Sequence, residues 1–446
     1  MSASPPQPVS VGARRRQALA CVLLVAGVAA QLLVPHRGAD FGRGAGLFFV
    51  AGAGYLLLAR DLLQGTWAPS FRAALALAAA LRLLALPLAP ELSDDVYRYL
   101  FEGRVVLAGE NPFLVAPGAP ELEPLRDAWW SRVNNKDVAS VYPPTLQLVF
   151  AACTWAWPHP MVFKLLFGLC DLLVFVVLWR FLPLAGVPAA RACLYGLCPL
   201  VVLEFAGEGH SDSLGILCLW LALWAALAAR PGAAGVALAL ATGAKLLPAA
   251  LLPALQRRSW RAVAAFGLVL VALYLPFWGP PAALFRGTLE YAARWRNNDS
   301  AYGVVQWLVE RVMAWQPEWF HYQEAQRLAK LPLLLAGSAL LCIAWLWRWS
   351  AHRTGFAFFT FFVVCAPTLH PWYVALWLPF LCLRANLLLL AFPITVYLNY
   401  HVLPGWLAEG VWREVTWVKV IEYAPLYAGL LWLAATRRAA RLSAGS

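Results

Sequence analysis

Residues 161–182 read MVFKLLFGLCDLLVFVVLWRFL. At ~1.5 Å rise per residue such a run makes a helix roughly 33 Å long, enough to cross the hydrocarbon of a bilayer. Runs of the same kind recur at 17–34, 45–63, 71–90, 188–206, 212–229, 260–278, 330–349, 354–367, 372–383, 386–400 and 419–435. The whole composition agrees with them. Hydrophobic residues make up 62% of the 446 and charged residues 13%, against about 45–50% and 25% in soluble domains. So few charges cannot cover so much apolar surface in water. The 23 Trp and 23 Phe fit the same setting, since indoles favour membrane–water interfaces. The expected fold class is an all-α polytopic membrane protein of about 12–14 transmembrane segments.

The formal net charge of +12 has a membrane explanation, because basic residues gather in short cytoplasmic loops. No basic run is interleaved with aromatics as a nucleic-acid groove requires, so nucleic acid is not an expected partner. None of the nine cysteines sits in a CxxC pair, which argues against a disulfide framework and a zinc site. Residues 1–13, MSASPPQPVSVGA, read as a disordered cytoplasmic N-terminus. Arg14, Arg15 and Arg16 then hold the start of the first span inside. A cleavable signal peptide ending near Ala29 and Ala30 is the alternative, and the many later spans favour an uncleaved helix.

One alternation puts the arginines at 180, 191, 230, 257, 258, 261, 348, 353, 384, 437, 438 and 441 in the cytoplasm. It requires that 143–157 only dip into the outer leaflet. It also requires that 232–255, interrupted by Gly243, Lys245 and Pro248, form a broken hairpin lining a cavity. The result is one membrane domain over 14–436, with twelve full spans plus the hairpin, and a cytoplasmic tail at 437–446. Two long outer segments remain, 91–142 and 279–329, and the first holds nine of the 23 acids.

Under this topology the unusual polar residues converge on the outer face. Asp94, Asp95, Arg98 and Glu102 lie in SDDVYRYLFEGRVVLAGENPF, residues 93–113, and Tyr142 closes the same segment. Glu204, Glu208, His210 and Asp212 fall in EFAGEGHSDS, Lys245 near the hairpin tip, Asp299 in the second loop beside Asn297 and Asn298, and His370, Trp372 and Tyr373 in another outer turn. Residues Asp95 to Leu107 have a helical pattern, Val96, Leu100, Gly103, Val106 and Leu107 sharing a face beside a stripe of Asp95, Arg98 and Glu102. That pattern describes an interfacial helix with carboxylates at its surface.

Each residue also has a structural reading. Asp94 or Ser93 suits a helix N-cap, and one aspartate of the pair is expected to cap while the other acts. Glu204, Glu208 and Asp212 could be solvated loop acids, His210 a bonded structural imidazole, and His370 with Trp372 a corner of the aromatic belt. Lys245 argues more strongly for function, because a lysine midway along an apolar segment needs an anionic partner. Asp171, equally deep, reads as an internal structural pair with Lys164.

In its acidic first outer loop and many-helix frame the chain resembles the GT-C superfamily of integral-membrane glycosyltransferases, which use polyprenyl-phosphate sugars. More narrowly, residues 93–113 resemble the corresponding loop of bacterial polyprenol-phosphomannose-dependent α-mannosyltransferases, of glycosyltransferase family 87 and of the catalytic subunit of the first GPI mannosyltransferase. VYPPTLQ, FKLLFGLCDLL, GHSDSLGILCL, ATGAKLLPAALLP and HPWYVALWLPFL resemble this group's later motifs, in the same order, from about residue 90 to 385. The GPI-type enzymes carry D-x-D where this chain reads Ser93-Asp94-Asp95. Whether the pair binds Mn²⁺ or Mg²⁺ therefore stays open, and no metal ligand is assigned.

The resemblance implies Asp95 as catalytic base, and elementary chemistry agrees. A sugar leaving from a lipid phosphate departs as a stable anion, so no second carboxyl group has to protonate it. One base for the acceptor hydroxyl and cationic help at the phosphate suffice; Lys245 or an outer-loop arginine such as Arg98 is expected to supply the cation. The expected function is transfer of a sugar, foremost mannose, from a polyprenyl-phosphate donor to a lipid or glycan acceptor at the outer face of a cell membrane, among membrane lipids. A transporter or flippase of lipid-linked saccharide is the alternative. Transporters place their sites near the midplane between internal repeats, and no repeat is evident here.

Overall fold

The computed structural model describes residues 10–257, 259–314 and 322–443; 1–9, Arg258, 315–321 and 444–446 lie outside it. Of the expected disordered N-terminus, residues 11–13 are already helix, started by Ser10, whose side chain accepts from the Ala13 amide. The last helix continues to Ser443, through most of the expected tail. The described residues form no β-strand; one isolated parallel bridge joins Asn297 and Thr368.

Seven helices among the described residues are long and apolar enough to cross a membrane: Val11–Leu33, Phe41–Leu63, Met161–Leu184, Trp260–Phe277, Glu324–Leu346, Leu387–Glu409 and Thr416–Thr436. The pair Ala189–Gly196 and Pro199–Gly207, bent by 54°, makes an eighth if taken as one span. The protein is thus an all-α polytopic membrane protein. Other runs read as full spans are shorter helices, among them Phe71–Ala85, Asp212–Leu227, Ala351–Cys365 and Pro371–Leu381. Proline sets two of these limits: Pro87 and Pro367 stand just beyond the C-terminal ends of Phe71–Ala85 and Ala351–Cys365, where a proline cannot continue the helix.

The helices used below are α1 Val11–Ala29, α2 Phe41–Leu63, α3 Phe71–Ala85, α4 Asp95–Leu107, α5 Pro144–Ala156, α6 Met161–Leu184, α7 Asp212–Leu227, α8 Pro231–Ala244, α9 Trp260–Tyr274, α10 Ala301–Met313, α11 Tyr322–Leu346, α12 Ala351–Cys365 and α13 Thr416–Ser443. α1 and α2 run antiparallel in close contact. A Cβ on Gly27 would stand 2.5 Å from the Ala51 nitrogen, the tight approach that small residues permit between membrane helices. Phe175, Leu178, Trp220, Trp377 and Phe380 sit in the main core, with side chains from α1, α2, α3, α6 and α7 around them.

A second cluster, with Tyr99, Leu100, Leu146, Phe150, Phe163 and Phe167, supports the first outer segment. Here α4 spans the predicted residues, and α5, with Pro144 at its first position, follows. Thirteen residues in α5 amount to about 20 Å, too short for a crossing. Gly103 lets α4 lie directly on α5, since a Cβ there would meet Thr154 Oγ1 at 2.3 Å. This packing corrects the surface-helix expectation: Arg98 and Glu102 are 2% and 1% exposed. The apolar segment after α7 breaks as expected. α8 stops at Lys245, whose backbone is extended, and a 3₁₀ turn, Leu247–Leu251, and a short helix, Leu252–Gln256, follow.

The Asp171–Lys164 pair is also corrected. Asp171 pairs with Arg82 at 2.7 Å, while the Lys164 ammonium donates to the carbonyls of Leu86 and Leu88. Two charges on α6 thus tie it to α3 and the turn after it, rather than to each other.

Candidate functional site

A cavity of about 1580 Å³ gathers side chains from both outer segments, the hairpin tip and the HPWY turn. Of the predicted site residues, Asp94, Asp95, Arg98, Tyr142, Asp212, Lys245, His370, Trp372 and Tyr373 line it; Glu102, Glu204, Glu208, His210 and Asp299 do not. α11 and α12 add an apolar wall with Leu333, Leu334, Leu341, Phe358, Phe361 and Phe362.

Asp95 opens α4, half-buried. A carboxylate in a first helical turn faces unpaired amides and the positive end of the helix dipole. Its Oδ1 accepts from Asn134 Nδ2 at 2.9 Å; among the described residues nothing donates to Oδ2. Asp94 occupies the N-cap position, but its side chain makes no capping bond. Ser93 Oγ instead accepts from the Asp95 amide at 3.2 Å. The expected cap therefore falls to Ser93, and Asp94 turns to Arg132, 3.5 Å away. Burial raises the Asp94 pKa above the ordinary carboxylate value, and the Arg132 charge opposes that shift.

The cations are arranged differently from expectation. Arg98 lines the cavity but is fully engaged: Nε donates to Glu102 at 2.7 Å, Nη1 to the Asn135 carbonyl at 2.9 Å and Nη2 to the Val138 carbonyl at 2.7 Å. It braces the 134–138 loop that carries Asn134. Glu102 completes the brace, accepting from Ser140 at 2.7 Å and Gln147 at 2.6 Å, and does not line the cavity. Arg132, which the sequence reading passed over, donates to the Pro90 carbonyl at 3.2 Å and is still exposed enough to meet a ligand. It is 40% exposed, sits 4.3 Å over the Tyr97 ring and lines the cavity beside Asp94. Nothing in its local sequence marks it; only the fold brings it to the aspartates. Lys245 has the anionic partner that its apolar surroundings demand: Asp212, at the start of α7, accepts from its ammonium, which also lies 3.4 Å over the Tyr373 ring.

The other acids outside the cavity each hold a junction. Glu208 pairs with Arg37 at 2.6 Å and accepts from the Glu91 and Leu92 amides at 2.9 Å each, tying the turn before Asp94 to the α1–α2 connection. Glu204 accepts from the Tyr400 hydroxyl at 2.9 Å and stands 2.9 Å from His210 Nδ1. Burial opposes protonation of His210, Glu204 outweighs it, and the imidazole pKa lies above its ordinary value. Asp299 pairs with Arg296 at 2.9 Å and Lys419 at 2.7 Å, fastening the second loop to α13. Among the described residues no three His, Cys, Asp or Glu side chains converge to hold a metal ion.

Trp372 lies between two imidazoles. His210 stacks on it with 3.9 Å between ring centroids, and His370 with 4.4 Å. Tyr373 meets Tyr291, of the second loop, hydroxyl to hydroxyl at 3.0 Å. The fold and the site thus define a membrane-embedded protein whose cavity, apolar on one side, offers an unengaged carboxylate oxygen beside cationic and aromatic groups. Residues 41–261, just under half of the chain, match the MptA_B family, described as alpha-(1->6)-mannopyranosyltransferase, N-terminal domain. That match supports a mannosyltransferase family, and hence a glycosyltransferase with sugar donor and acceptor substrates. No curated protein and no solved structure matches the chain.

Proposed function

We propose that the protein transfers mannose, with inversion, from a polyprenyl-phosphate mannose to a lipid or glycan acceptor at the outer face of the cell membrane. The observation that carries this reading is the meeting of Asp95, Arg132, Lys245 and an apolar wall in one cavity. Asp95 Oδ2 takes the proton of the acceptor hydroxyl as that oxygen attacks C1, while Asn134 keeps Oδ1 fixed. The bond between C1 and the phosphate oxygen breaks, and its electron pair leaves with the lipid phosphate. Arg132 and Lys245 stabilise the charge that gathers there, and no acid is needed on the leaving side. Attack opposite the phosphate turns a β-linked donor into an α-linked product. The wall from α11 and α12 suits a polyprenyl chain.

The grouping of segments onto two opposite faces has support from contacts within the protein. Residues expected outside touch one another, as Arg37, Glu91 and Glu208 do. Residues expected inside do the same, Arg16 with Asp61 and Arg257 with the Trp345 carbonyl.

The test is incubation of purified protein with labelled polyprenyl-phosphate mannose and an acceptor extract. Transfer of label with release of polyprenyl phosphate is expected. Movement of intact lipid-linked saccharide across a vesicle membrane without bond cleavage would make the protein a flippase instead.

A further inference from the structure

Trp412, Asn297 and His370 come from three distant segments and meet in one hydrogen-bonded chain. Trp412 Nε1 lies 3.3 Å from Asn297 Oδ1. An indole N–H can only donate, so it identifies that atom of the amide as the oxygen. The same amide pairs with Asn399, donating to its Oδ1 at 3.2 Å and accepting from its Nδ2 at 3.4 Å. Two amides alone could flip together; the indole removes that degeneracy. Asn297 Nδ2 must then be the atom 3.1 Å from His370 Nδ1, which makes Nδ1 the acceptor and leaves the ring proton on Nε2. The backbone holds the pair in register, since the Asn297 amide donates to the Pro367 carbonyl at 3.1 Å and the Leu369 amide donates to the Asn297 carbonyl at 2.9 Å. Asn297 is 3% exposed.

We propose that Asn297 is a positioning residue that holds His370 as the neutral Nε2–H tautomer, so that His370 meets the mannosyl donor as a hydrogen-bond donor to its phosphate and never as a base. This rests on the function proposed above. The proton balance is unchanged: the acceptor proton goes to Asp95, the phosphate leaves as an anion, and the His370 proton stays on Nε2. Burial keeps this imidazole neutral, lowering its pKa to about 3, and the cations facing it, Lys245 and His210, act in the same direction. The inner stacked ring, His210, is the one that faces a carboxylate.

The tautomer can be read without turnover. The chain has seven histidines, so the ¹⁵N imidazole spectrum of histidine-labelled protein, minus that of His370→Gln, isolates this ring. At pH 7 the expected spectrum has a bare Nδ1 and a protonated Nε2. In Asn297→Asp the carboxylate demands a proton on Nδ1, and the two signals should exchange character, leaving Nε2 bare. Mannosyl transfer should then fall roughly 10- to 100-fold, the range of one lost hydrogen bond to a charged group. If Asn297→Asp does not fold, Trp412→Phe is the milder variant, and a mixture of the two tautomers with a partial loss of rate is expected.

A wild-type ring protonated on Nδ1, or charged, at pH 7 would overturn the inference whatever the protein's activity. So would a variant with the switched tautomer and an undiminished transfer rate. A wild type with the Nε2–H ring but no transfer to any acceptor would instead remove the function on which the inference rests, and with it the role given to His370.

Discussion

Arg98 tests where scaffold ends and site begins. Arg98→Lys keeps a charge able to meet Glu102, but one ammonium cannot also reach the carbonyls of Asn135 and Val138. The buried Val138 carbonyl then loses its donor, at about 1–3 kcal/mol, and the more exposed Asn135 carbonyl loses its own at a smaller cost. Arg98→Met also leaves the buried Glu102 carboxylate with only Ser140 and Gln147, and breaking a buried pair from one side costs about 3–5 kcal/mol. Thermal unfolding in detergent should therefore rank wild type above Arg98→Lys, and Arg98→Met lowest. Initial rates well below the unfolding temperature should show kcat falling with the same order, because the loop in question carries Asn134. Donor KM should stay within about threefold, since no donor contact is removed. An Arg98→Met protein of normal stability with a donor KM raised tens of times would refute the reasoning and put the guanidinium on the phosphate.

Arg132→Gln should do the reverse, raising donor KM about tenfold or more with little change in melting temperature, because the side chain is already 40% exposed. Asp94→Asn is expected to stabilise the protein at pH 7. Its raised folded-state pKa means that the ionised carboxylate opposes folding there, and the gain should fade as pH falls through that pKa toward the ordinary value of 3.8. In a background without native cysteines, a cysteine at position 120 should react with an impermeant thiol reagent on intact cells and one at position 257 should not. The opposite pattern would reverse the orientation.

What was legible in the sequence followed from costs that do not depend on partners. Long apolar runs, the Asp95–Leu107 helix, the break at Lys245 and the gathering of Asp95, Asp212, His370 and Tyr373 all came from residues that are expensive in an apolar setting. What was missed depended on distant partners. Glu208 looks like a loop acid until Arg37 folds onto it, and Glu204 until Tyr400 does. Asp299 lies outside the cavity, paired with Lys419 and Arg296. Arg98 and Glu102 were rightly placed on one stripe, but the loop at 134–140 covers that stripe and turns a surface into a core. Arg132 had no local mark, and Asn297 acquires its role only from an imidazole 73 residues further along.

The central claim is that Asp95 takes the acceptor proton during mannosyl transfer. Its most direct test is the initial rate at saturating labelled polyprenyl-phosphate mannose for wild type and Asp95→Asn, with EDTA and then with Mn²⁺ or Mg²⁺ restored. The Asn side chain keeps the shape and the contact with Asn134 but cannot accept the proton. The account predicts a fall of ~10²–10⁴ in rate with donor binding retained and no rescue by either ion. Near-normal turnover in Asp95→Asn would contradict it.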